Sequence, residues 1–255
     1  MSTLFELIKD PYDRKARAVP GLLSVLPLLI PLLVIYGPEH PTITAVVGLL
    51  GGCGAIFALA NVARGRGKHL EGTLVKEWGG MPTTIVLRHR DTFLDRISKN
   101  RYHEAISTKL GIDMPTAEEE EKDPSNADEI YIGATRQIRE LTRKNNPLLL
   151  SENISYGFHR NMLGMKPIGV LFCLIGIGFG LMISNVLKIS PPYVFPTNIA
   201  DPGLAGGLTL LVSALMLFAW IFYFNRAAVR RIGFAYAERL LECLPSLPTV
   251  ELKDK

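Results

Sequence analysis

Residues 167–187 read PIGVLFCLIGIGFGLMISNVL, 21 positions without an Asp, Glu, Lys or Arg. An apolar core of about 30 Å needs roughly 20 helical residues at ~1.5 Å each, so this stretch predicts a membrane-spanning helix. Residues 18–36, 41–63 and 202–225 pass the same test with 19, 23 and 24 uncharged positions. A buried helix of a water-soluble protein rarely runs so far without one charge, and here the pattern occurs four times. The expected fold class is therefore an all-α membrane protein. Four transmembrane helices form two hairpins, with a cytoplasmic helical domain inserted between spans two and three.

Direction follows from the cations near the span ends. Arg14, Lys15 and Arg17 precede the first span, and Arg64, Arg66 and Lys68 follow the second. Arg160 and Lys166 precede the third, and Arg226, Arg230 and Arg231 follow the fourth. The opposite connections, 37–40 and 188–201, hold one basic residue, Lys188, which leaves 27 of 28 on one side. This predicts a multi-pass protein of the bacterial inner membrane with both termini cytoplasmic. The expected segments are a cytoplasmic N-terminal stretch 1–17, hairpin 18–63, cytoplasmic helical domain 64–166, hairpin 167–225, and a cytoplasmic helix and tail 226–255. The first hairpin is expected to turn at Gly37–His40, with Tyr36, Tyr193 and Phe195 near the outer interface.

The totals agree with that division. Hydrophobic residues make up 48% and charged residues 20%, with a net charge of +4; mean hydropathy is +0.22. Long apolar runs interrupted by a polar domain give such values. Cys53, Cys173 and Cys243 are odd in number and lack metal-ligand spacing, which reads as small hydrophobes in a reducing compartment. No cleavable leader is evident before the first apolar run.

Inside the spans there is no acid or base to relay protons, which disfavours pumps and intramembrane hydrolases. Small residues stand out instead. Gly48, Gly51, Gly52 and Gly54 cluster in span two, and Gly176 and Gly180 form a small-xxx-small pair in span three. Such pairs let helices approach closely, within one chain or between copies. Pro27 and Pro31 interrupt hydrogen bonding inside span one, where a kink is expected.

The domain 64–166 carries 17 basic and 15 acidic residues. A first helix is expected from Thr83 to Leu110, stopped by Gly111, with a possible break near Asp91-Thr92. Leu94, Ile97, Tyr102 and Ile106 suggest its apolar face. A second is expected after a Ser125/Asp128 capping box, with Ile130, Ala134, Ile138 and Leu141 inward. A third, 151–162, should feed into span three. The block Glu118–Glu121 reads as a solvated loop, and Ile232, Phe234, Tyr236, Leu240 and Leu241 of the last helix suggest an assembly surface. Cationic helix faces near a membrane suit anionic lipid headgroups, solvated pairing with the acidic block, or a phosphate-bearing ligand. Candidate ligand-binding residues are Arg88, His89, Arg90, Arg96, Lys99 and Arg101, then Arg136, Arg139 and Arg143, with Trp78 for stacking. The turn Glu77-Trp-Gly-Gly-Met-Pro82 either reverses the chain or lines a pocket. Neither zinc spacing nor a nucleophile elbow or phosphate loop is present in the sequence, so neither an enzyme nor a cofactor is expected.

Three stretches carry a family resemblance: Glu77-Trp-Gly-Gly-Met-Pro-Thr-Thr through Leu87-Arg-His-Arg-Asp, Gly111-Ile-Asp-Met-Pro through Ala127-Asp-Glu-Ile-Tyr131, and Glu152-Asn-Ile-Ser-Tyr-Gly-Phe through Lys166-Pro167. Over roughly residues 10 to 240 the chain resembles a widespread, uncharacterised group of bacterial four-span membrane proteins. Some of these resemble channel effectors of anti-phage defence encoded beside a soluble nucleotidyltransferase, as in the Hailong system. The resemblance implies a homo-oligomeric ion channel, expected as a tetramer, controlled by a nucleotide or oligodeoxynucleotide. Arg88, His89, Arg90 and the arginines of the second helix would then be ligand contacts. The alternative is a non-conducting scaffold that recruits a soluble partner or binds membrane lipid.

Overall fold

The computed structural model describes residues 9–36, 41–142 and 146–248, with side chains for all of these except 32, 35–36, 41–47 and 49–53. The expected turn at 37–40 and the candidate Arg143 lie outside the described residues, as do the side chains of Tyr36 and Cys53. Among the described residues the chain is all-helical, apart from one isolated bridge between Leu187 and Val194. A π-helical turn, Asp13–Ala18, leads into α1, Val19–Tyr36. Helix α2 runs Pro41–Trp78. Four shorter helices follow: α3 Pro82–Ile85, α4 Arg96–Leu110, α5 Ala117–Lys122 and α6 Pro124–Thr142. Helix α7 is Pro147–Ile183, α8 is Gly203–Phe218 with a π-helical end Ala219–Tyr223, and α9 is Arg226–Leu241. The expected third helix of the domain and span three are one helix, α7.

Two of these helices, Pro147–Ile183 and Gly203–Tyr223, are long and apolar enough to cross a membrane. Only 22% of each apolar window is buried by the chain itself, unlike the core helix of a soluble protein. The chain forms two compact units: residues 1–71 with 157–228, and residues 72–156 with 229–255.

In the first unit α7 and α8 pack antiparallel in a fixed register. A Cβ on Gly169 would strike the Trp220 indole, one on Gly176 the Ser213 hydroxyl, one on Gly180 the side chains of Leu210 and Thr209, and one on Gly206 the Ser184 hydroxyl. The paired numbers add to 389 or 390 throughout, as two antiparallel helices in contact require. Gly176 and Gly180 therefore serve packing within the chain. Helix α7 also meets α2 backbone to backbone: a Cβ on Gly164 would lie 2.7 Å from the Gly67 nitrogen and 2.9 Å from the Arg66 carbonyl carbon. There Arg66 Nε donates to the Gly164 carbonyl at 3.0 Å. A buried ion pair, Arg160 Nη1 to Glu71 Oε1 at 2.9 Å, ties the same helices. Burial pushes the Glu71 carboxyl up, but the charges and hydrogen bonds of Arg160 and Lys68 outweigh it and hold it below the ordinary range. Lys166 Nζ caps the end of the π-helical stretch by donating to the carbonyls of Ile221 and Phe224 at 3.2 and 3.1 Å, where a cation meets the negative end of the helix dipole.

The second unit has its own core: Tyr102, Ile106 and Leu110 of α4, Ala127, Tyr131, Ala134 and Ile138 of α6, and Phe234, Ala237, Leu240 and Leu241 of α9. Several expectations change here. The helix expected over 83–110 does break around Asp91-Thr92, and the break is wide: residues 86–95 fold into turns between two helices. Asp91 accepts the Phe93 amide at 2.9 Å and Asp95 accepts the Ser98 amide at 2.9 Å, local bonds that compete with helix continuation and then cap α4. Gly111 does end it, at φ 65°. Ile97, expected inside, is 81% exposed. The capping box belongs to Thr116 and Glu119 of α5 rather than to Ser125 and Asp128, and the supposed solvated loop Glu118–Glu121 is that helix. Leu141 is exposed with Thr142 beside it buried, and Tyr131 rather than half-buried Ile130 is fully enclosed. Leu240, Leu241 and Phe234 close this chain's own core and are not free for assembly.

Adding a methyl at Gly164, which meets unyielding backbone, should destabilise the first unit by about 1–3 kcal/mol. Gly178→Ala, where nothing lies within 4 Å, should leave it unchanged. Thermal melting of both variants in detergent checks the contrast.

Candidate functional site

The segment Arg88-His89-Arg90 singled out by its charge leaves α3 in tight turns, with Leu87 and Arg88 amides donating to Thr84 and Ile85 carbonyls. Hydrogen bonds from three elements hold it. From α4, Lys99 and His103 reach back one helical turn apart. Lys99 Nζ donates to the carbonyls of Arg88, at 2.6 Å, and Asp91; His103 Nε2 donates to the Leu87 carbonyl at 2.8 Å. From α5, Glu120 accepts the amides of His89 and Arg90 at 2.7 and 3.3 Å and the Arg90 guanidinium at 2.8 Å. From α6, Asp128 takes Arg88 in a two-point fork, Nε at 2.8 Å and Nη2 at 2.7 Å, and Arg90 Nη2 at 3.0 Å.

The glycine pair before α3 completes the enclosure. Arg88 Nη2 also donates to the Gly79 carbonyl at 2.8 Å. Gly79 stands at φ 76° and Gly80 at φ 153°, a backbone shape that side chains resist. A Cβ on Gly80 would lie 2.7 Å from Arg88 Nη2. The Glu77–Pro82 turn is thus shaped to wrap a guanidinium. Trp78 packs against the core cluster beside it, half-buried.

The electrostatics follow from burial. Glu120 is a carboxylate with its side chain 3% exposed. Burial raises its pKa, but hydrogen bonds from the Tyr131 hydroxyl and the His89 and Arg90 amides, with the Arg90 charge, more than offset this and hold it below the ordinary range. The Tyr131 hydroxyl donates to it at 2.6 Å and is itself driven far up, by burial first and this carboxylate second. Burial lowers Lys99 against the pull of Asp91 and Glu120. It lowers His103 to about 4, against the bond to the Leu87 carbonyl. His103 is therefore a neutral ring, edge-on to His89 at 4.8 Å between centroids. His89 Nε2 in turn donates to the Pro115 carbonyl at 2.9 Å.

The arrangement divides the ten candidate residues. Arg88, His89, Arg90 and Lys99 come together, but their donors point at this chain's own carboxylates and carbonyls. Arg88 and Lys99 are buried, so an anion reaching them would have to displace Asp128 or backbone. Arg90 keeps an exposed edge. Arg96, Arg101, Arg136 and Arg139 remain on the surface, with the Arg101 guanidinium over the Tyr102 ring at 5.2 Å. Sequence reasoning missed Glu120, Asp128, His103 and Tyr131. The signal for Glu120 was its place in an acidic block behind a Thr-x-x-Glu box, which reads as a helix start. No protein-family model, curated protein or solved structure matches this chain.

Removing Glu120 leaves the Arg90 guanidinium, the buried Tyr131 hydroxyl and two amides without this acceptor. Glu120→Ala should cost the second unit about 3 kcal/mol and Glu120→Gln less, measured by denaturant unfolding. For His103 the folded state resists a proton that the unfolded chain accepts near its ordinary value of 6.5. Its stabilisation is complete above that value and falls by up to ~1.4 kcal/mol per pH unit as pH drops from 6.5 toward 4. His103→Gln should flatten that part of a stability-versus-pH curve.

Proposed function

We propose that this chain is a four-span protein of the bacterial inner membrane, with both termini and the 64–166 domain cytoplasmic, that assembles as a homo-oligomeric channel effector in anti-phage defence. Its soluble helical domain would receive a nucleotide or oligodeoxynucleotide signal made by a soluble nucleotidyltransferase. A tetramer is the expected assembly, with the bound signal biasing the spans between two conformations.

The observation that carries this reading is the outward apolar band on α7 and α8. Leu171, Leu174, Phe179, Leu211, Leu215 and Phe218 are all exposed, and the other unit is folded about a core of its own. Lipid or further copies of the same chain must cover such a band. Helix α1 adds a third uncharged helix and the apolar start of α2 a fourth. The one-sided cations then orient them. Within one chain α7 and α8 touch through glycines, so a conducting path belongs between copies or at a seam that opens. The cations left on the surface, Arg96, Arg101, Arg136 and Arg139, are the groups free to meet a phosphate backbone.

A second reading is a non-conducting scaffold that recruits a soluble partner. The engagement of Arg88 and Lys99 inside the fold favours it, since the most concentrated cations are already neutralised.

Flux from liposomes carrying the purified chain, with and without oligodeoxyadenylate, separates the two. Ligand-dependent flux that weakens at least several-fold in an Arg136→Ala/Arg139→Ala variant is expected. Absence of flux under every nucleotide, with normal assembly, would leave the scaffold.

A further inference from the structure

Segment 184–202 joins α7 to α8, the two helices long and apolar enough to cross a membrane, so a bilayer holding them has this segment at its surface. The segment is folded. Leu187 and Val194 pair across an antiparallel bridge. On either side of it the Phe195 amide donates to the Val186 carbonyl at 2.8 Å and the Lys188 amide to the Tyr193 carbonyl at 2.9 Å. Just past α7, Asn185 stands at φ 55°, in the left-handed region that asparagine tolerates. Its carbonyl accepts Asn198 Nδ2 at 3.0 Å, from the 3₁₀ turn Pro196–Ala200. A short hairpin is thereby tied to the end of α7.

What the hairpin exposes is apolar. Segment 184–202 holds two charged residues, Lys188 and Asp201. Ile189, at the tip, is 86% exposed, the most of any large apolar residue among those described. Tyr193 and Val194 are exposed beside it. Opposite residues of a pair share a face and successive ones alternate, so Leu187 and Val194 lie on one face and Lys188, Tyr193 and Phe195 on the other. There the one cation rests 4.5 Å from the Phe195 ring centroid. The tip residues Pro191 and Pro192 have no amide to leave unpaired. Ile97 is almost as exposed, but it follows Asp95 and Arg96 directly. The hairpin instead continues the exposed apolar band of the spans, through Met182 at the end of α7 and Leu204 at the start of α8.

We propose that this hairpin is an interfacial anchor that dips into the outer leaflet, with Ile189 and Val194 against the upper acyl chains. The Tyr193 hydroxyl and the Lys188 ammonium then reach the headgroups, each on an apolar stem. The inference rests on the membrane-spanning reading of α7 and α8 and names the surface that sets their depth. Its occupant is lipid rather than a second copy. Exposed apolar groups stand on both faces of the hairpin, which a fluid closes around, whereas one protein surface covers one face. Paired amides and two prolines keep the cost of leaving water low, as an interfacial segment requires.

The test uses the full chain in nanodiscs of phosphatidylethanolamine and phosphatidylglycerol. A nitroxide is attached at Ile189→Cys in a chain carrying Cys53→Ala, Cys173→Ala and Cys243→Ala. Leu174→Cys in the exposed apolar band and Glu121→Cys on the exposed surface of α5 serve as references. Oxygen concentrates among acyl chains and a nickel chelate in water, so their relative effects on the nitroxide report depth. At Ile189 oxygen is expected to dominate, giving a depth between the two references. Nickel dominance equal to that at Glu121 puts the hairpin in water and overturns the proposal. Inaccessibility to both agents means cover by another protein copy, and overturns it too. Ile189→Trp, which keeps every native cysteine, checks the same point: its added emission should be quenched by lipids brominated high on the acyl chain. Quenching by aqueous acrylamide alone overturns the anchor. If the Leu174 nitroxide is also in water, the membrane-spanning reading falls as well; Leu174 in lipid with Ile189 in water sinks the anchor alone.

Discussion

A backbone carbonyl withdrawn from water must find a donor, and that requirement organises the first unit more than any other. Three prolines near its start each withhold one. Of the carbonyls that Pro20, Pro27 and Pro31 leave without an amide four residues on, that of Ala16 is met by Asn161 of α7. Glycines supply the other half of the geometry. A serine or an indole can sit at a helix–helix contact only where the facing residue has no side chain, which is the case at Gly169 and Gly176.

The second unit solves a related problem with charge. Its core is ordinary in composition, but the segment between α3 and α4 has no regular structure to satisfy its amides and carbonyls. Glu120, Lys99 and His103 do this from two different helices, while Asp128 on a third holds the segment through the Arg88 and Arg90 side chains. Because each carboxylate serves at least two donors and Arg88 serves three acceptors, the cluster holds the segment as one piece. Its sum of charges is nearly balanced, so a basic sequence motif becomes an internally neutral one.

Much of the architecture could be read from the residues, and the parts that could not share a cause. Uncharged length alone located α7 and α8, and Gly111 marked a helix end through a single left-handed residue. The Gly176/Gly180 spacing pointed to close packing. What periodicity could not show was which charges would be buried. Arg88 and Glu120 look like surface groups in one dimension, since the partners that make their burial tolerable lie 40 and 31 positions away. The break near Asp91-Thr92 could be read from the residues, but its extent over 86–95 could not, because local Asp turns and a remote carboxylate outweigh helix propensity there. Ile97 was misplaced because the break shifted the helical phase.

The register between α7 and α8 also constrains how this chain can change through descent. Trp220 fills the space that Gly169 leaves empty, and Ser184 the space left by Gly206. Growth of one residue demands shrinkage of its counterpart, so a change at one position has to be matched at the other. A lineage could exchange the large and small members of a pair across the contact, but each single step would pass through a clash or a void. Such pairs tolerate fewer single changes than the exposed apolar positions beside them, where nothing in this chain restricts side-chain shape.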